Sequence, residues 1–251
     1  MARRTAGMRL GVPYRTAEAL LWPSAMALMR RDWRGTEHLR AHGEGIIVAP
    51  NHISWFDPIV MAHFLHDNGR PPRFLAKQSV FEVPVVGWVV NGAEQIPVTR
   101  DTDPSKALAA AEAALAAGEC VVVYPEGTIT RDPALWPMSG RTGAIRLALE
   151  SGAPLIPVAQ WGAQEVMPPY QKAFRILPRK TMRVLAGPPL DLDDLRGRPL
   201  DRAVLETGTN RLMDAITGLL EQLRGERAPG QRFDWAAERK RLRTQQTEEE
   251  H

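Results

Sequence analysis

In the stretch Asn51-His52-Ile53-Ser54-Trp55-Phe56-Asp57-Pro58, an imidazole precedes a carboxylate by five positions, directly after the apolar run Gly45–Pro50. A tight loop of that length lets the Asp57 carboxylate reach a ring nitrogen of His52. A carboxylate on Nδ1 leaves Nε2 free to take a proton from a hydroxyl. On spacing alone, an Asp57 that caps a helix beside a loop histidine is the commoner arrangement. Ser54 stands two residues from His52, but the chain has no Gly-x-Ser-x-Gly elbow, so it is not read as a nucleophile. His63 and His66, with Asp67, lack a third ligand pattern and are read as surface histidines rather than a metal site. The run Met138–Leu149 has Arg141 where a phosphate-binding loop needs lysine, and it reads as a helix N-terminus near the same edge.

Positioning such a pair requires rigid elements on either side of the loop. Six apolar runs read as strands: 45–50, 73–77, 94–99, 120–125, 154–161 and 181–187. Several are apolar throughout, as strands covered on both faces are. Helices are expected at 57–68, 84–91, 103–117, 141–151 and 201–224. In the third, Asp103 caps, Pro104 suits the first turn and Gly118 closes it. In the last, Leu205, Leu212, Met213, Ile216, Leu219, Leu220 and Leu223 form one apolar stripe. The alternation implies an α/β fold, a sheet with helices on its faces. If its strands are parallel, the turn Tyr124-Pro125-Glu126-Gly127-Thr128 opens on the same edge as His52, and Arg100 follows another strand end.

The chain has 251 residues, 44% hydrophobic and 24% charged, enough for one large domain with an appended tail. Its net charge is only +3, yet residues 1–40 hold eight arginines against Glu18, Asp32 and Glu37. An anionic surface is the implied neighbour of that segment. Trp22, Met26 and Met29 make an interfacial amphipathic helix a better reading than a nucleic-acid arm. The most apolar windows, 19–29 and 83–93, are too short to span a bilayer and contain proline, and no export signal is expected. Cys120, the single cysteine, reads as a buried apolar residue in a reduced cytosolic compartment.

Four blocks in order, "NHISWFD", "GAEQIPVTR", "YPEGTIT" and "APLIPVAQWG", span roughly residues 45 to 165 and resemble the glycerolipid acyltransferase family. That group comprises the 1-acylglycerol-3-phosphate and glycerol-3-phosphate acyltransferases, and the resemblance implies their α/β fold, a single mixed, largely parallel sheet flanked by helices, with an N-terminal amphipathic, membrane-associating helical segment. The resemblance implies that His52 is the general base, that Asp57 orients it, and that the acceptor's own hydroxyl is the nucleophile, with no acyl-enzyme. It implies that Arg100 holds the acceptor phosphate, with Glu126, Gly127 and Thr128 in the acceptor site and Lys77 beside it. Ile129 stands where the family has arginine, and Arg131, two residues on, is the expected substitute. The donor would be acyl-CoA or acyl carrier protein, the acceptor lysophosphatidate and the product phosphatidate, with no cofactor, no metal and no nucleic acid. The protein would be peripheral, or monotopic, on the cytoplasmic face of an anionic membrane. The expected division is a basic N-terminal segment (1–40), the acyltransferase domain (41–228) and a charged tail (229–251), with residues 79–90 lining an apolar acyl slot. Another lysophospholipid or glycerol-3-phosphate as acceptor, a thioesterase and a non-catalytic lipid-binding module remain open alternatives.

Overall fold

Apolar strands that alternate with helix-forming runs bury both faces of one sheet when helices cover each side. The computed structural model describes residues 29–40, 45–77, 95–98, 104–171, 173–235, 237–241 and 244. In chain order these form β1 (Met29–Arg34), α1 (Glu37–Arg40), β2 (Ile46–Pro50), α2 (Asp57–Asp67), β3 (Pro72–Lys77) and β4 (Ile96–Val98). There follow α3 (Pro104–Ala116), β5 (Cys120–Val122), α4 (Gly143–Ser151), β6 (Leu155–Trp161), α5 (Ala163–Val166), β7 (Lys180–Ala186) and α6 (Arg202–Arg224). The strand order is β1-β7-β6-β2-β5-β3-β4. Neighbours are parallel except for the antiparallel pair β6 and β7. The sheet is therefore mixed and largely parallel, flanked by helices.

β2 is buried along its whole length between β5 and β6. Its Ile47 and Ala49 join a core made with α3, α4 and α6, whereas Ile46 and Val48 join Val60, Met61, Phe64 and Leu65 of α2 on the other face. The small side chains of α3 let it lie close to the sheet. At Gly45 a Cβ would fall 2.2 Å from the Leu115 carbonyl oxygen, so only glycine allows this approach. The stripe on α6 buries Leu205, Leu212, Met213, Ile216, Leu220 and Leu223, with Asp201 capping by accepting from the Val204 amide at 2.9 Å. Arg224, in its last turn, lies over the rings of Trp136 (4.0 Å) and Trp161 (4.4 Å).

Strand β1 was not anticipated, because Met29-Arg30-Arg31-Asp32-Trp33-Arg34 has the charge of an edge strand rather than an apolar run. It has a consequence for His63, expected at the surface: Trp33 meets its ring edge-on at 5.7 Å, and His63 is buried. Burial lowers the His63 pKa. No cluster suited to a metal is found among the described residues. None of their helices is long and apolar enough to cross a membrane. Met29, expected on an interfacial amphipathic helix, is instead the buried first residue of β1, paired with β7. The rest of that expected helix, the helix at 84–91, the apolar slot at 79–90 and Arg100 lie outside the described residues.

Candidate active site

Because β2, β3, β5 and β6 are parallel, their C-terminal ends open on one edge of the sheet. The loop 51–56 leaves β2 there, the turn 124–128 leaves β5, and α5 follows β6. Asn51 and Gln160 lock β2 to β6 at this edge. The Gln160 amide N–H donates to Asn51 Oδ1 (2.8 Å), its side-chain Nε2 donates to the Asn51 carbonyl (2.8 Å), and Asn51 Nδ2 donates to the Gln160 carbonyl (3.2 Å).

On that base the loop turns back so that His52 Nδ1 lies 2.8 Å from Asp57 Oδ2. The same oxygen accepts from the amides of Ile53 (2.5 Å) and Ser54 (2.7 Å). Asp57 therefore braces its own loop and the imidazole; it does not cap α2, whose cap position is Phe56 with no side-chain bond. Asp57 is fully buried, and burial raises its pKa against the opposing hydrogen bonds from His52, Ser54 and Ile53. With a carboxylate accepting at Nδ1, the proton of neutral His52 sits on Nδ1 and Nε2 carries the lone pair. The Tyr124 ring stacks on the imidazole with centroids 4.3 Å apart, and Phe74 stacks beyond it.

Ser54 is buried and its hydroxyl is occupied: it donates to the Met167 carbonyl at 2.7 Å and accepts from the Phe56 amide at 3.0 Å. It ties the loop to α5. Cys120 is buried in β5, and burial pushes its thiol up to about 12. Neither side chain is placed to act as a nucleophile toward a group at His52.

Glu126 lies beside the pair. Its Oε1 accepts from the His52 amide (2.9 Å) and its Oε2 from the Met138 amide (3.0 Å). Burial pushes this carboxyl up to about 8, opposed by those two bonds and reinforced by the charges of Asp57 and Asp132. The Thr130 amide adds a bond to the His52 carbonyl at 2.7 Å, so both backbone groups of His52 are held by the turn after β5.

His52, Asp57, Glu126, Gly127 and Thr128 thus come together at one edge. Lys77 closes β3 at that edge, its side chain outside the described residues. Ile129, where the family has arginine, is buried. Arg131, the expected substitute, has its guanidinium 3.7 Å from the centroid of the Tyr170 ring and 5.1 Å from that of Trp235. The Arg141 side chain lies across Gly127, where an added Cβ would be 2.8 Å from Nε and 3.0 Å from Cδ. Among the described residues no carboxylate pairs with this exposed guanidinium. The sequence placed Arg141 at a helix N-terminus near this edge and tested it only against a phosphate-loop lysine, so its approach to Gly127 was not foreseen. Gln160 was readable only as a lone amide at the end of an apolar strand.

The acyltransferase family model matches residues 30–161, more than half of the chain. A chloroplastic 1-acyl-sn-glycerol-3-phosphate acyltransferase of Brassica napus is 27% identical over 177 residues, 68% of this chain and 49% of that protein. The chain spans about half the length or less of that relative and of its Arabidopsis thaliana counterpart. The 1-acyl-sn-glycerol-3-phosphate acyltransferase of Bacillus subtilis is 24% identical over 71% of this chain and 84% of its own length. The crystal structure of the 1-acyl-sn-glycerophosphate acyltransferase of Thermotoga maritima superposes with a TM-score of 0.64 at 20% identity, covering 86% of this chain and 81% of that one, a likeness of fold.

Proposed function

The chain belongs to the acyltransferase family, and from that premise we propose that it moves a fatty acyl group from an acyl thioester to the hydroxyl of a lysophosphatidate. The observation that carries the reading is a histidine anchored at Nδ1 by a buried carboxylate, with no side chain placed as a nucleophile beside it among the described residues. The acceptor supplies the nucleophile. His52 Nε2 takes the hydroxyl proton as the oxygen attacks the thioester carbonyl, and the tetrahedral adduct collapses with cleavage of the carbon–sulfur bond. The imidazolium, stabilised by Asp57, then returns its proton to the departing thiolate. No acyl-enzyme forms.

For the acceptor phosphate we assign the Gly127-Thr128 turn with Arg141 across it, supplemented by Arg100 and Lys77. A guanidinium offers a phosphate a planar fork of donors, which the buried Ile129 cannot. Glu126 serves the site by holding the His52 backbone. We further propose that the donor is acyl-CoA or acyl carrier protein, that no cofactor is needed, and that the protein works peripherally on the cytoplasmic face of the membrane. Thiol release from acyl-CoA with and without lysophosphatidate tests the reading. His52→Ala is expected to lower the acceptor-dependent rate by about 10²–10⁴-fold, the range general-base catalysis supplies. Retention of most activity refutes the mechanism, and turnover independent of acceptor makes the protein a thioesterase.

A further inference from the structure

Large apolar side chains standing singly on a surface are ordinary, but their concentration is not. Among the described residues the exposed ones are Trp55 (57%), Ile59 (47%), Tyr170 (43%), Phe174 (58%) and Leu177 (76%). All five fall in two stretches, 55–59 and 170–177, which the fold brings together. Phe56 meets Phe174 edge-on at 6.1 Å, the Ser54 hydroxyl donates to the Met167 carbonyl, and the Tyr170 hydroxyl donates to the Ile129 carbonyl. The patch therefore borders the mouth of the His52 loop.

Its charge is predominantly basic, with the exposed Glu165 at its border. Residues 166–190 hold Lys172, Arg175, Arg179, Lys180 and Arg183, and no Asp or Glu. Arg175 and Arg179 are exposed next to Phe174 and Leu177. The topology adds a third observation. β7 begins at the site edge because it runs antiparallel to β6, and β1 runs parallel to β7, with Met29 opposite Lys180. Arg179 Nη2 donates to the Met29 carbonyl at 3.0 Å. Met29 thus stands beside this patch, and the sequence before it holds Arg3, Arg4, Arg9 and Arg15.

We infer that Trp55, Ile59 and the 170–179 loop form a docking face for an anionic lipid surface. Interleaved aromatic, aliphatic and basic side chains suit an interface that is apolar a few ångströms down and negatively charged at its surface. A protein partner seated on Trp55 would cover the mouth beside His52. A bilayer presents the lipid acceptor there, an argument that rests on the proposed reaction.

The test measures co-sedimentation of the full chain with phosphatidylcholine vesicles, with and without phosphatidylglycerol, in the absence of acyl donor. Wild type is expected to bind the mixed vesicles. The double variant Phe174→Ser/Leu177→Ser is expected to bind them at least tenfold more weakly, and Arg175→Gln about fivefold more weakly. Unfolding midpoints should be unchanged, because the altered side chains are exposed. Quenching of tryptophan emission by brominated lipid should fall in Trp55→Phe. Equal binding by wild type and the double variant overturns the inference, since residues 1–28 then suffice. A large drop in unfolding midpoint overturns it in favour of a segment of this chain covering the patch. A dimer that the substitutions dissociate overturns it in favour of a second copy. Transfer to a short-chain, monomeric lysophosphatidate separates the two readings: vesicle binding without transfer refutes the reaction and leaves the docking face standing.

Discussion

Replacing Glu126 by glutamine keeps the shape of the side chain and removes its titration. Burial pushes the carboxyl up to about 8 from an ordinary 4.5. Between pH ~5 and ~8 the unfolded chain has released this proton while the folded chain still holds it. The folded state thus binds more protons, and wild-type stability declines as pH rises, by about 1.4 kcal/mol per pH unit, until it levels off above about 8. The full decline has a ceiling of about 5 kcal/mol, reduced by any relaxation around the site. Glutamine does not titrate, so the variant should gain on wild type at up to about 1.4 kcal/mol per pH unit across that window. Other titrating groups cancel in the difference. The gain in stability comes with lost activity: a glutamine carbonyl can accept from one of the His52 and Met138 amides, and its own NH₂ must face the other. A His52 backbone held less firmly should cost about 10- to 100-fold in kcat. Urea unfolding of both proteins at pH 5 through 9 measures the gap. A gap that stays constant with pH, or one that moves toward wild type, would refute the reasoning by showing that the two amide bonds outweigh burial.

Asp57→Asn should lower kcat by about 10²–10⁴-fold with little change in KM, because an amide donating to Nδ1 moves the ring proton onto Nε2 and blocks the base; steady-state kinetics at several pH values checks it. Gly127→Ala should cost about 1–2 kcal/mol, since its φ of 68° is left-handed and a Cβ there collides with the Arg141 side chain; thermal unfolding reads the loss, and KM for the acceptor should rise with it. Arg141→Ala should leave the unfolding midpoint unchanged and raise KM for lysophosphatidate about tenfold or more, with no effect on an uncharged monoacylglycerol acceptor.

The buried strands were legible because β2, β5 and β6 are apolar throughout, a pattern that few alternatives satisfy. β1 was not, since an edge strand is under no pressure to be apolar, and the misplacement of His63 followed from missing Trp33 above it. The pairing of His52 with Asp57 was legible through the company of the other blocks; spacing alone favoured a helix cap. What stayed hidden depends on chain reversal. Glu126 grips an amide 74 positions away, and the guanidinium beside Gly127 comes from the loop just before α4. Such contacts leave no local period or composition to read.

The loop 51–57 is fastened by Gln160 through Asn51, by Glu126 and Thr130 through the His52 backbone, and by the Ala163 and Met167 carbonyls through Ser54. For protein engineering this means that the heptapeptide is not a portable cassette. Grafted alone onto another α/β scaffold, it would carry the histidine and aspartate without the clamps that aim them. The smallest unit that can be transplanted comprises three consecutive strand ends with their following turns, and chimaeras with related chains should place their junctions outside residues 46–167.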